Sequence, residues 1–104
     1  MAYKVVITTD AEQDLDRFIY YLINEKRSRQ AAINVLNDFE QTVQELATVA
    51  GSLKLCDNPR LNELGYRRIN FRSHKFFILY RVQKKTVIID RIFHGLQDYE
   101  NKMQ

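Results

Sequence analysis

Seven basic side chains in the second half of the chain, Arg60, Arg67, Arg68, Arg72, Lys75, Arg81 and Arg91, are interleaved with Tyr66, Phe71, Phe77, Tyr80 and Phe93. Guanidinium groups set among aromatic rings at strand spacing can gather on one surface, and such a surface binds a polyanion or an acidic protein. The charge is divided to match. From residue 1 to Leu53, five Lys or Arg stand against eight Asp or Glu; from Lys54 onward, eleven stand against five. No Cys/His spacing resembles a metal site, and there is no glycine-rich phosphate loop, so no metal or cofactor is expected. The single cysteine, Cys56, has no partner within the chain and suits a reducing cytoplasm. No apolar run approaches the length of a membrane span, so a soluble cytoplasmic protein is expected.

The elements that would position these groups fit one domain over residues 1–104, a length able to build a single core. Tyr3 to Thr8 is a short β-type run, and Thr9 followed by Glu12 fits a capping box that opens a helix. Ala11, Leu15, Phe18, Ile19, Leu22 and Ile23 then recur at helical spacing. Ser28 can cap a second helix with a stripe of Ala32, Val35, Leu36, Phe39, Val43, Leu46, Ala47 and Ala50, ended by Gly51. After a loop marked by Asp57-Asn58-Pro59 the period changes. Tyr66 to Arg72, Lys75 to Val82 and Thr86 to Phe93 are rich in β-branched and aromatic residues and are joined by short polar turns, as in an antiparallel meander. The fold class is α+β: an N-terminal strand, an α-helical hairpin packed on a mostly antiparallel sheet in the order β-α-α-β-β-β, and room for a short C-terminal helix.

Alternation in the first meander strand puts Ile69 and Phe71 on a buried face and Arg68, Asn70 and Arg72 on a wet one. The next two strands admit either register. The favoured one places Arg68, Arg72, Arg81 and Arg91 together on the open face with Phe77 and Phe93 among them. It also turns Asp90 toward the helices, where a lone carboxylate would cost several kcal/mol unless paired. The opposite register turns Arg91 inward instead. Solvation of an open sheet is the simpler role for the same arginines.

The order of elements, together with "GYRRINF", "FFILYRV" and "TVIIDRIFHGLQDYEN", resembles the RelE/ParE superfamily of toxins from type II toxin–antitoxin modules. The resemblance covers nearly the whole chain, and the order of the motifs carries it. It implies a growth-inhibiting toxin held inactive by a cognate antitoxin, as a heterodimer or a larger toxin–antitoxin assembly. Two activities compete within the superfamily. ParE-like members are implied to bind DNA gyrase and block it; RelE-like members are implied to enter the ribosome and cleave mRNA without a metal.

RNA cleavage of that kind needs a base for the 2′-hydroxyl, an acid for the leaving oxygen and cations for the charge developing on phosphate. This sequence nominates His94, Glu63 and Arg81 for such work, with Arg68, Arg72 and Arg91 as further cations. Target binding is assigned to Arg68, Arg72, Arg81, Arg91, Phe77 and Phe93. Phe77 falls near a position where ribonuclease relatives carry a basic residue, and His94-Gly95-Leu96-Gln97-Asp98 looks closer to ParE-type relatives. The gyrase-directed reading is therefore placed slightly ahead, with RNA cleavage and a nontoxic binding module as alternatives. His74, in a predicted turn beside Ser73 and Lys75, is expected to be solvent-exposed, although a turn at the mouth of a basic face could touch phosphate.

Overall fold

The structure is a computed structural model that describes residues 2–95, 97 and 99–103. The chain runs β1 (Lys4–Ile7), α1 (Thr9–Asn24), α2 (Arg29–Val49), a single 3-10 turn (Ala50–Ser52), α3 (Pro59–Glu63), β2 (Arg67–Asn70), β3 (Phe76–Gln83), β4 (Thr86–His94) and α4 (Tyr99–Lys102). Helix α1 is capped by Thr8, one residue before the expected Thr9; its Oγ1 accepts from Ala11 N at 3.1 Å and donates to the Asp90 carbonyl at 2.9 Å. One hydroxyl thus starts the helix and ties it to β4. Ser28 caps α2 as expected, accepting from Ala31 N at 3.1 Å. Between the helices Arg27 takes the left-handed conformation, with φ 52°.

Gly51 follows α2 for a spatial reason. A Cβ there would crowd the Tyr3 hydroxyl, so a larger residue would have to push that side-chain end aside. The loop after it holds an unforeseen element. Asn58 accepts from Arg60 N and Leu61 N, Pro59 occupies the first turn, and α3 forms where the sequence suggested only a loop.

Sheet order is β1-β4-β3-β2. The last three strands form the expected antiparallel meander, and β1 joins it parallel to β4, with Lys4 opposite Thr86 and Ile7 opposite Ile89. The register is broken by a bulge: Leu79 pairs with Arg91 and Tyr80 with Ile89, which leaves Asp90 without a cross-strand partner. The extra residue resets the alternation. Val87, Ile89 and Ile92 all reach the helix side, whereas Asp90 pairs with Arg81, its Oδ2 accepting from Nε at 2.7 Å. Asp90 therefore does not face the helices, and neither uniform register describes β4.

Two cores result. Helices α1 and α2 cover one face of the sheet, burying Ala11, Val35, Leu46, Ile69, Phe71, Ile78, Tyr80, Val87, Ile89 and Ile92. On the other face Phe77, Leu79 and Phe93 are covered by Cys56 and Leu61 from the segment before β2, with Tyr66, Tyr99 and Met103 packed around them. Arg60 fastens this cover by donating to the carbonyls of Met103 at 2.8 Å and Glu100 at 3.2 Å. Cations at a helix C-terminus satisfy carbonyls that the helix cannot. Among the described residues no helix is long and apolar enough to cross a membrane.

Candidate functional site

Arg68, Arg81 and Arg91 leave the sheet on the side away from the hairpin, as the favoured register required, but they are not equivalent. Arg68 is exposed. Its guanidinium lies 3.7 Å over the Phe77 ring, and its Nε donates to Asn70 Oδ1 at 3.0 Å. Arg81 is held by Asp90, and that hydrogen bond raises its pKa against the opposing effect of burial. Arg91 reaches past the end of β1 to α1, where Asp14 accepts from Nε at 2.7 Å and from a terminal nitrogen at 3.0 Å; this bonding likewise raises its pKa. Asp14, only 4% exposed, also accepts from Ile92 N at 2.9 Å and from Arg17. Two of the three guanidiniums are thus already neutralised.

The expected open surface changes in two further respects. Phe77 and Phe93 are each 1% exposed beneath Tyr99 and the segment before β2, so neither ring presents a contact surface. Alternation in β3 does put Phe77 on this face, but a second core forms over it, for which the sequence carries no local signal. Arg72 is not on the sheet. It lies in the turn after β2, exposed, with its backbone N–H donated to Asp38 Oδ1 at 3.0 Å.

His94 is separated from the other two acid–base nominees. Glu63 is exposed at the end of α3 on the outer cover; Arg81 lies on the outer face in its ion pair; His94 faces the opposite side, its ring edge-on to Phe76 at 5.2 Å between centroids. The motif beginning at His94 is partly described: His94 N donates to Gln97 Oε1 at 2.7 Å, and Gly95 N to the Lys75 carbonyl at 2.6 Å. Leu96 and Asp98 of that motif lie outside the described residues. Tyr66 beside Arg81 has its phenol pKa raised by burial and by the Asp90 charge. Tyr66 packs and carries no exposed ionised oxygen near neutrality.

On the helix side the structure shows a second feature that the sequence did not reveal. Phe18, Tyr21 and Leu22 of α1, Ala31 and Val35 of α2, Phe76 of β3 and His94 of β4 line an apolar groove of about 730 Å³, with His74 and Lys75 at its rim. Phe18 and Phe76 meet at 4.7 Å between ring centroids to form its floor. Its lining holds two histidines and one lysine and no carboxylate among the described residues. A concave apolar surface with few polar groups is the usual form of a seat for a partner side chain or segment.

This geometry sits on a chain whose sequence matches, over residues 5–99, the family of ParE toxins of type II toxin–antitoxin systems, parDE. The chain belongs to that family. Among solved structures, the toxin resembles the chromosomal ParDE toxin–antitoxin system of P. aeruginosa with a TM-score of 0.70 and 23% identity, over 89% of this chain and 96% of that one. The RelBE2 toxin–antitoxin complex of Mycobacterium tuberculosis follows at 0.60 and 22%, over 90% and 99%. A conserved hypothetical protein of Helicobacter pylori gives 0.58 and 13%, over 88% and 93%. No curated protein sequence matches. At these identities the solved structures establish the fold alone, and it is the fold expected from the element order. The chain is thus a ParE-family toxin of a type II system, with an exposed Arg68 on one side and an apolar groove on the other.

Proposed function

We propose that the toxin inhibits growth by binding DNA gyrase, without cutting RNA, and that its cognate antitoxin occupies the apolar groove. The observation that carries the first part is that His94 faces the hairpin side of the sheet, while Arg81, engaged in its ion pair, and Glu63 lie on the outer side. Acid–base cleavage of a phosphodiester requires its proton-transfer groups within hydrogen-bond reach of one reacting centre. Binding has no such requirement. An acidic protein surface needs only accessible cations, and Arg68 and Arg72 are exposed and outside the ion pairs that hold Arg81 and Arg91.

The groove supports the second part through its apolar walls and basic rim, which suit an amphipathic segment of an acidic partner. Arg68 leaves the face away from the hairpin, whereas the groove lies on the hairpin side, with Arg72 in the turn beside its rim.

The test is a direct comparison with purified toxin. Supercoiling of relaxed plasmid by gyrase should fall as toxin is added, while mRNA on translating ribosomes stays intact. RNA cleavage that disappears in His94→Ala would overturn the proposal in favour of ribosome-dependent cleavage. Induced expression with soluble protein and no growth defect would point to a nontoxic binding module. For the groove, Ala31→Glu toxin should escape neutralisation by the antitoxin encoded with it.

A further inference from the structure

The β2–β3 turn is built on one buried carboxylate. Asp38 of α2 is 4% exposed, and it accepts from Arg72 N at 3.0 Å, Ser73 N at 2.9 Å and His74 Nδ1 at 2.7 Å. Burial raises its pKa, but the bonds from His74, Ser73 and Arg72 outweigh that and leave it lowered. A carboxylate accepts and does not donate, so the proton shared with His74 belongs to Nδ1. The ring orientation is fixed, and Nε2 is the nitrogen left to act. It is an acceptor in the neutral ring and a second donor in the charged one.

His74 lines the apolar groove, a polar recess beside Asn34, Asn37 and Gln41 of α2, and a shallow cleft shared with Arg68 and Asn70. Its side chain is 31% exposed. The charged and titratable groups around it are Asp38 from α2, Arg72 and Lys75 on its own turn, Arg68 from β2, His94 from β4 and Tyr21 from α1. Among the described residues Asp38 alone of these is a carboxylate, and both its oxygens are already engaged. An arriving carboxylate therefore meets Nε2 and Lys75 with no free carboxylate beside them among the described residues.

We propose that His74 is a specificity-determining residue of the antitoxin seat: oriented by Asp38, it donates from Nε2 to an Asp or Glu of the segment that fills the groove. The inference rests on the reading that the antitoxin occupies this groove. The partner chemistry is an apolar anchor between Phe18, Leu22 and Phe76 with a carboxylate next to it at the rim. Donation from Nε2 while Nδ1 is held by Asp38 requires the imidazolium, so the grip takes up a proton and tightens as pH falls. Neutralisation of the toxin is then coupled to pH across the interval in which imidazole changes charge.

The experiment uses the full-length toxin and the antitoxin encoded with it, with Kd measured at pH 8, 7 and 6. Wild-type toxin should bind several-fold more tightly at pH 6 than at pH 8. In His74→Gln that ratio should fall to near one. A ratio unchanged in His74→Gln overturns the assignment. NMR of the ring nitrogens supplies a signature that a merely structural role would not move: both His74 ring nitrogens should carry protons in the complex at pH 6, and a neutral ring there would also overturn it. Ala31→Glu and Tyr21→Glu test the seat separately. Loss of binding in these folded variants, with a pH ratio unmoved by His74→Gln, removes this inference alone. Undiminished binding in both variants removes the groove reading and the inference with it.

Discussion

Asp14 is the residue whose loss should be felt most widely, because it joins α1, the edge of β4 and the basic face through one side chain. Alanine at this position leaves the buried Ile92 N–H without its acceptor, 2.9 Å away in the native chain, at a cost of about 1–3 kcal/mol. It also strips Arg91 of a two-point partner. That side chain is 25% exposed and recovers part of its hydration, so this adds only about 1 kcal/mol. The bond to Arg17, whose side chain is 71% exposed, adds little. The sum is about 3 kcal/mol, and for a domain of this size each kcal/mol lowers Tm by about 4–8 °C, so a fall of about 15 °C is expected. Asp14→Asn keeps an oxygen for Ile92 N–H and should lose about 5 °C. Thermal unfolding followed by circular dichroism at pH 7 reads both. A fall of less than about 3 °C in Asp14→Ala would refute the claim that this carboxylate closes the strand edge. Equal losses in the two variants would show that charge, and not the backbone bond, is what matters.

Other consequences follow from the same kind of contact. Asp38 has its pKa lowered on folding, so its contribution is complete above the ordinary carboxylate value and is lost as pH falls below about 4 through the folded value; Asp38→Asn should flatten that part of the stability profile, measured by urea unfolding from pH 5 to pH 2. Tyr80, whose hydroxyl donates to the Ala50 carbonyl at 2.8 Å, has its pKa pushed up to about 12 by burial. Its contribution is present below pH 10 and is lost as pH rises toward 12, and Tyr80→Phe should cost about 1 kcal/mol at neutral pH while removing that alkaline loss. Cys56 has its thiol pKa raised by burial, so it should resist iodoacetamide at pH 7.5 until denaturant opens the second core. Arg68→Ala should reduce growth inhibition with Tm unchanged within about 2 °C, whereas Arg91→Ala should lower Tm as well, so only the former isolates the basic face.

Much of this architecture was legible from residue order. The apolar stripes of α1 and α2, the Ser28 cap and the three strands were marked by periodicity, and Arg68, Arg81 and Arg91 do leave the sheet on one side. What escaped was tertiary. No local pattern announces a bulge, so the strand carrying Ile88 to His94 had two incompatible registers until Asp90 took the extra position opposite Leu79 and Tyr80. Phe77 and Phe93 were read on a wet face because nothing local shows that Leu61 and Tyr99 would close over them. Asp38 looked like one of many polar positions on an amphipathic helix, although it builds a turn 34 residues away. A polar residue within an otherwise apolar stripe was the signal available. Asp38 next to Phe39, and Asp14 next to Leu15, are such cases.

The parallel pairing of β1 with β4 has a bearing on how the molecule comes into being. Lys4 meets Thr86, so the first strand has no hydrogen-bonded neighbour until almost the whole chain has been made. Helix α1 can form early, but its Thr8 hydroxyl and Asp14 carboxylate both await backbone groups of residues 90 and 92. Such long-range closure folds slowly compared with local contacts. Synthesis itself therefore delays the appearance of a finished toxin, and an antitoxin seated in the groove proposed above would have nothing complete to hold until the last strand is home.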